Sequence, residues 1–221
     1  MEVKKAASIS KQELANLPMV TFDGSITVID TIEGASEAAE VLSKEKILGF
    51  DTETKPAFKR GQTNNVALLQ LSSRTANYLL RLNKIGLPEP IKAILENDSI
   101  RKIGVSIHDD FHNLRKLYDL NPDGFIDLQH YVKDYNIADN SLARIYAILF
   151  GERISKGQRL TNWEAEELTP HQQAYAALDA YACIKIFDTL TNEGFNCEAS
   201  PYYKEIEPPA PKKSTENTEL N

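Results

Sequence analysis

The 221-residue sequence has no long hydrophobic run and very few cysteines. None of its apolar runs approaches the roughly 18 residues that a helix needs to cross a bilayer. Its first residues, MEVKKAASISKQELANL, also lack the apolar block of a secretory signal, so we expect a cytoplasmic protein. The two cysteines, Cys183 and Cys197, are too few and too isolated to indicate a disulfide framework or a thiolate metal site.

Positive charge is also scarce, since the formal net charge is -7. This balance argues against a basic surface that grips nucleic acid by phosphate neutralisation alone, but it leaves room for a site where bound cations supply the positive charge. Hydrophobic residues make up 42% of the chain and charged residues 26%, which suits one compact domain with its own core.

Both ends of the chain are polar. Residues 1–20 predict an N-terminal arm with one short helix, where Ser10 and Glu13 have the spacing of a capping box. From residue 198 to residue 221, four prolines stand among polar and charged residues that have little to bury, which predicts a disordered tail. The domain is therefore expected to span residues 21–197.

Within that domain, period-2 and helical patterns alternate. They predict strands at 26–30, 46–53, 65–73, 76–82, 100–106 and 124–128, and helices at 36–44, 88–98, 109–118, 141–151 and 169–194. Strands joined first by hairpins and later through a helix, with helices on the faces, indicate an α/β fold with a central mixed sheet.

The stretch ILGFDTETKP places two carboxylates at the end of one apolar strand. Asp51 and Glu53 are two residues apart and project to one face, while Thr52 turns away. The simpler explanation is that the strand has reached water and both carboxylates are solvated, and from this pair alone that explanation is preferred.

Two other segments carry polar residues that could join the pair. Tyr175 and Asp179 are four apart on an alanine-rich helix and share one face, although a solvated Tyr and Asp explain them equally well. Asp109 and Asp110 begin another helix, where acids commonly serve the helix dipole. If these carboxylates converge, Mg²⁺ or Mn²⁺ suits such hard oxygen ligands, and two ions roughly 3.5 to 4 Å apart can promote phosphodiester hydrolysis.

The order Asp51-x-Glu53, then Asp110 after GVSIHD, then Tyr175-x-x-x-Asp179 resembles the three motifs of the DEDD superfamily of 3'-5' exonucleases, tyrosine branch. The segments GFDTETKP, VALLQLS, KIGVSIHDD and LTNWEAEELTPHQQAYAALDAYA are similar to the Werner-type exonuclease domain and, more distantly, to ribonuclease D. The resemblance runs from about residue 25 to about residue 193 and implies a ribonuclease H-like fold.

The resemblance also implies roles for the matched residues. Asp51, Glu53 and Asp179 would hold a first Mg²⁺ or Mn²⁺ ion, and Asp51 would bridge to a second ion that Asp110 reaches largely through water. Tyr175 would orient the attacking water, and Asp109 would cap its helix. The substrate would be the 3' end of a single-stranded or frayed nucleic acid, which would release nucleoside 5'-monophosphates.

Other residues have weaker claims to contact the substrate. The candidates are Thr52, His108, Lys156, Arg159 and Trp163. Solvation or structural packing is the competing explanation for most of them, and Trp163 in particular is expected to pack its loop more readily than to stack on a base.

Two alternative functions stay open at this point. One is a nuclease-like module that binds a nucleic-acid end, or serves as a scaffold, without cutting. The other is a ribonuclease H-like endonuclease, against which the Tyr175-x-x-x-Asp179 pattern argues.

Overall fold

A computed structural model of the chain describes residues 5–59, 61 and 63–206. The strands in these ranges are β1 (Lys5–Ala7), β2 (Ser25–Ile29), β3 (Ile47–Thr54), β4 (Val66–Ser72), β5 (Ala76–Leu80), β6 (Arg101–Gly104), β7 (Phe125–Asp127) and β8 (Tyr203–Glu205). The α-helices are α1 (Lys11–Ala15), α2 (Ile32–Leu42), α3 (Leu82–Ile85), α4 (Glu89–Leu95), α5 (Ile107–Leu114), α6 (Leu128–Tyr131), α7 (Leu142–Phe150) and α8 (Pro170–Asn192). Short 3-10 helices span Val132–Tyr135 and Cys197–Ala199.

Six of the strands form one mixed sheet in the order β2-β5-β4-β3-β6-β7. The central strands β3, β4 and β5 pair antiparallel, whereas β2 with β5, β3 with β6 and β6 with β7 pair parallel. The expected mixed sheet with flanking helices is therefore confirmed. Within the described residues, no helix has both the length and the hydropathy that crossing a bilayer requires.

The two faces of the sheet bury different helices. Leu48 and Phe50 of β3 point to a core that contains the buried sides of α2, α4 and α5. On the opposite face, α8 packs with α7 and with a smaller cluster around Trp163. The side chains of β3 thus point alternately to two buried helical layers, and this alternation decides where its polar side chains lie.

Both ends of helix α8 are well defined. At its start, the Thr169 hydroxyl accepts from the Gln172 amide at 3.2 Å, and the Gln172 side chain accepts from the Thr169 amide at 3.1 Å. Pro170 occupies the first turn, where a missing N–H costs nothing. Beyond its C-terminus Gly194 has a φ of 73°, which a glycine adopts without a steric penalty.

The chain ends differ from the sequence-based expectation. Strand β1 pairs antiparallel with β8, so that Ala6 lies opposite Lys204. An arm and a tail were expected here, yet part of each forms a second, two-stranded sheet. The capping box at α1 is present as predicted, with the Glu13 amide 3.1 Å from the Ser10 hydroxyl. Residues 207–221 of the expected tail lie outside the described residues.

Helix α5 also begins earlier than the predicted residue 109. Ser106 precedes it in the left-handed conformation, with a φ of 61°, and its amide donates to Asp127 at 3.2 Å. This sharp turn lets α5 start directly after β6. Asp109 consequently lies inside the first turn with an 88% exposed side chain, so the expectation that it caps the helix is wrong.

Candidate active site

Strand β3 carries Asp51 and Glu53 at the end of the central sheet. Their side chains point to the face that α8 covers, while Phe50 and Thr52 point to the face of α5. Asp51 is half-buried and Glu53 is buried. Both carboxylates therefore lie between the sheet and a helix, which rejects the simpler explanation that they are fully solvated.

Helix α8 approaches β3 unusually closely at Gly49. A Cβ atom added at Gly49 would lie 1.9 Å from the Ala180 carbonyl oxygen, so only a glycine fits there. Asp179 precedes Ala180 and Tyr175 lies one turn before it, so this contact brings both to the acid pair. The small residues of α8 thus position its two polar side chains.

The three acids Asp51, Glu53 and Asp179 converge on one point. Each offers a carboxylate oxygen, and these oxygens all lie within 4.8 Å of one another. Such a compact set of hard oxygen donors fits Mg²⁺ or Mn²⁺ and does not suit a metal that prefers sulfur or nitrogen ligands. The residues that the sequence singled out are therefore suited in chemistry and spacing to hold a divalent cation.

Burial raises the pKa of every acid in this cluster, and repulsion from neighbouring acids adds to the rise for Asp51 and Glu53. Burial, followed by the charge of Asp179, raises the pKa of Asp51 to about 8. Burial, followed by the charge of Asp51, raises the pKa of Glu53 to about 10. For Asp179 burial raises the pKa to about 7, while interactions with Tyr175 and Lys156 partly oppose the shift. Ionising all three carboxyl groups together is therefore unfavourable, and a bound cation would offset the repulsion between the ionised groups.

Tyr175 stays protonated over the whole physiological range. Burial, followed by the charges of Asp179 and Glu53, holds the pKa of its hydroxyl far above the ordinary value. Its ring packs on the Trp163 ring with 6.1 Å between centroids. A neutral phenol held in this way is a hydrogen-bonding group and cannot act as a base near neutral pH.

Asp110 approaches the site from the other side of β3. The Thr52 hydroxyl donates a hydrogen bond to its carboxylate, so Thr52 is a partner of Asp110. Burial, followed by the charge of Asp51, raises the pKa of Asp110 to about 8. Asp110 is thus electrostatically part of the acid group, although the compact set of oxygens comprises only the other three acids.

Two basic residues beside the acids act on them electrostatically. The positive charge of Lys156 lowers the pKa of Asp179, and that of Arg159 lowers the pKa of Glu53. Both side chains belong to exposed residues of the segment that precedes α8. They are therefore placed to meet an anionic ligand that reaches the acids.

The other two substrate candidates lie in contrasting environments. Trp163 has 0% exposure, so its ring offers no free face for a base in this structure, and the packing explanation holds instead. His108 has a 94% exposed side chain, and its Nδ1 lies 3.9 Å from the exposed Asp109 carboxylate. The geometry connects neither residue directly to the acid cluster.

Several neighbours of the site were missed because their sequence signal is weak. Gly49 stands in an ordinary apolar run, and its close contact with α8 emerges only in three dimensions. Glu164 pairs with Lys55 at 3.1 Å and ties the loop after β3 to the segment beside Trp163. Gln70 lies directly opposite Asp51 in the β3–β4 ladder. A glutamine within the apolar run VALLQL was the one available signal.

Comparison with known proteins decides the family. The sequence model of the family described as 3'-5' exonuclease matches residues 26–194, a segment that contains every acid of the site. The chain belongs to the 3'-5' exonuclease family. The match confirms the predicted DEDD-type relationship, and family membership indicates a nuclease.

Relatives and solved structures agree with this family. The mouse bifunctional 3'-5' exonuclease/ATP-dependent helicase WRN is 32% identical over 202 residues, which is 86% of this chain and 14% of the mouse protein. The Aedes aegypti Nibbler EXO domain has a TM-score of 0.70 at 20% identity, covering 80% of this exonuclease-family chain and 95% of that domain. Escherichia coli RNase D has a TM-score of 0.69 at 24% identity, covering 77% and 45% of the two chains. These likenesses confirm the ribonuclease H-like fold.

Proposed function

We propose that this exonuclease-family chain is a divalent-metal-dependent 3'-5' exonuclease that releases nucleoside 5'-monophosphates from the 3' end of a nucleic acid. The observation that carries the proposal is the convergence of Asp51, Glu53 and Asp179, with oxygens within 4.8 Å, beside a protonated Tyr175. In this proposal the three acids hold one Mg²⁺ or Mn²⁺ ion, and Asp51 with Asp110 holds a second. Bound ions of this kind would lower the pKa of a bound water and stabilise negative charge on the phosphate.

The side chains of the site then have separate tasks. The Tyr175 hydroxyl hydrogen-bonds the attacking water and orients it toward the phosphorus. Lys156 and Arg159 contact phosphate oxygens and offset the acidic surroundings, which a chain of net charge -7 needs at such a site. Water loses a proton as it adds to phosphorus, the bond from phosphorus to the 3' oxygen breaks, and that oxygen takes up a proton. The products are a 5'-monophosphate and a chain shortened by one nucleotide.

Asp51→Asn and Asp179→Asn test this assignment. Each change removes a charged ligand, and the expected loss of turnover is on the order of 10³-fold, because ligand-bound cations contribute several kcal/mol to such reactions. Asp109→Asn is the matched control, since its carboxylate is 88% exposed and adjacent to Asp110. Single-stranded DNA and RNA labelled at the 5' end should be shortened stepwise with Mg²⁺ or Mn²⁺, and chelator should stop the reaction.

A circular single strand separates this function from its rivals. An exonuclease leaves the circle intact, whereas cleavage of the circle would indicate an endonuclease. Tight binding of linear strands by the wild-type chain, without turnover in either metal, would indicate a binding module. Either result would overturn the proposal.

A further inference from the structure

Gln70 of β4 is a buried amide without a visible structural role. Gln70 is 1% exposed, and its Nε2 and Oε1 atoms are both buried without a hydrogen-bond partner within the described part of the chain. Buried polar side chains are almost always paired, because an unpaired amide forfeits its hydrogen bonds to water. An apolar residue would stabilise this position better, so the amide calls for a functional reason.

The strand register places this amide beside the acids. Gln70 is the direct partner of Asp51 in the antiparallel β3–β4 ladder, and residues opposite each other project to the same face. That face is the one covered by α8, which carries Asp179. Since the Cβ atoms of directly opposite residues are about 4.5–5.5 Å apart, a glutamine side chain can span the gap to the Asp51 carboxylate.

The polar side chains of Ser72 and Asn77 on this face are engaged elsewhere. The Ser72 hydroxyl donates to Asn77 Oδ1 at 2.5 Å, and Asn77 Nδ2 donates to the Ser25 carbonyl at 3.2 Å. The residues flanking Gln70 are Leu68, two positions before it, and Leu79, its partner on β5. Trp163, which packs in the same cluster as these leucines, has an indole N–H that can only donate and that has no partner among the residues that the structure describes. The carboxylates are thus the natural acceptors for the Gln70 NH₂ group.

We propose that Gln70 is a positioning residue for the metal ligands. In the cation-bound protein its Nε2 would donate to the Asp51 carboxylate, and this hydrogen bond would hold Asp51 in the rotamer that faces the cation. A hydrogen bond to a charged acceptor is stronger than one to a neutral acceptor, which favours the Asp51 carboxylate as the partner of Gln70. The inference rests on the proposed function, because it assumes that the acids bind a divalent cation.

Gln70→Met tests the inference, because methionine keeps the length of the side chain and removes both polar ends. We expect the Mn²⁺ dissociation constant, measured by titration calorimetry, to rise on the order of tenfold, as when a hydrogen-bonding partner of a metal ligand is lost. In chelator, the free energy of unfolding should be no lower than that of the wild-type protein. Gln70→Leu should give the same pattern and guards against an effect peculiar to methionine.

Leu68→Met is the matched control, since Leu68 is fully buried on the same face of β4, opposite Glu53. It should leave the Mn²⁺ affinity at the wild-type value. The inference alone is overturned if Gln70→Met binds Mn²⁺ as the wild type does, or if Leu68→Met loses affinity equally, because packing would then explain the effect. A wild-type protein that takes up no Mn²⁺ would instead overturn the proposed function.

Discussion

The acid residues of the site are costly to the folded chain when no cation is bound. Folding moves Asp51, Glu53 and Asp179 out of water, which raises the pKa of each, and repulsion between the acids raises the pKa of Asp51 and Glu53 further. The native state therefore holds protons that the unfolded chain has already lost near neutral pH. This difference links the stability of the metal-free protein to pH.

We expect the metal-free protein to become less stable as the pH rises from 5 to 8. The unfolded carboxyls titrate near pH 4, whereas the folded ones titrate at about 7, 8 and 10, so the stability that their protons provide is present at low pH and lost as pH rises. Each group contributes on the order of 1 kcal/mol per pH unit within its own window. Urea unfolding in chelator at several pH values measures this slope.

Asp51→Asn provides the control for the pH effect, because it removes one titrating group and the repulsion that this group exerts on Glu53 and Asp110. Its stability should vary less steeply with pH. For the wild-type protein at pH 8, saturating Mn²⁺ should restore the lost stability, because the ion binds the folded state. A metal-free wild-type profile that rises between pH 5 and 8 would contradict the assigned pKa shifts.

Spacing predicted which acid residues share a face, whereas their convergence on one site was predicted only by the resemblance to the DEDD exonucleases. Asp51 and Glu53 share a face by the period of two, and Tyr175 and Asp179 by the period of four. Trp163 was expected to pack its loop, but neither its complete burial nor the exposure of Asp109 follows from these periods. Both features depend on how the segment before α8 folds back and on where α5 begins.

At the scale of elements, the site depends on the contact between β3 and α8. The Ala180 backbone occupies the space that a side chain at residue 49 would fill, so the helix lies directly on the strand. This contact sets the height of α8 above the sheet. It thereby sets the distance between Asp179 and the carboxylates of β3.

Gly49→Ala should lower both stability and cation affinity. The added Cβ would meet the Ala180 carbonyl oxygen at 1.9 Å and its carbon at 2.8 Å, so helix and strand must separate. Overpacking of this kind costs about 1–3 kcal/mol, and the displaced Asp179 can no longer share a cation with the β3 acids. Urea unfolding measures the first effect and Mn²⁺ calorimetry the second.

Gly157→Ala is the comparison for this substitution, because the nearest atom to its added Cβ is the Ser155 hydroxyl at 3.4 Å, an ordinary contact distance. It should change neither quantity appreciably. If the Gly49→Ala variant had the wild-type free energy of unfolding and the wild-type Mn²⁺ affinity, the close contact would not be what positions Asp179.

The predicted strands and helices of the main domain recur in the structure, with their ends shifted by a few residues. Hydrophobic period identified β3, β4 and α8 well because these elements are long and buried. The α3 and α6 helices were missed because each has only four residues, too few for a period to show. The left-handed Ser106 that starts α5 was missed because serine carries no signal for a positive φ.

At the scale of the whole molecule, the two ends of the chain belong to one folded unit. Strand β1 pairs with β8 across nearly the full length of the sequence, a contact that local composition does not report. Ala7 and Ile9 are buried in the same core as α7 and α8, and the Ile9 amide donates to the buried Asp139 at 2.8 Å. Residues on either side of the expected domain thus help to complete its core.

A fragment limited to residues 21–197, the expected domain, should therefore be less stable than the full chain. It loses the β1–β8 pairing and the burial of Ile9, and it leaves Asp139 without its backbone donor. Burying one isoleucine contributes roughly 1.5–3 kcal/mol, so the fragment should lose at least this much free energy of unfolding. Thermal and urea unfolding followed by circular dichroism measure the loss.

A chain of residues 1–206 is the informative comparison, because it keeps β1, β8 and Ile9 while it also ends early. If the loss of stability comes from the second sheet and its core contacts, only the 21–197 fragment should be weakened. Because Asp139 also holds Arg144 of α7 at 2.7 Å, the weakening should spread to the helix layer that packs against α8. Equal stability of the two shortened chains would instead mean that the paired ends add nothing to the fold that supports the acid site.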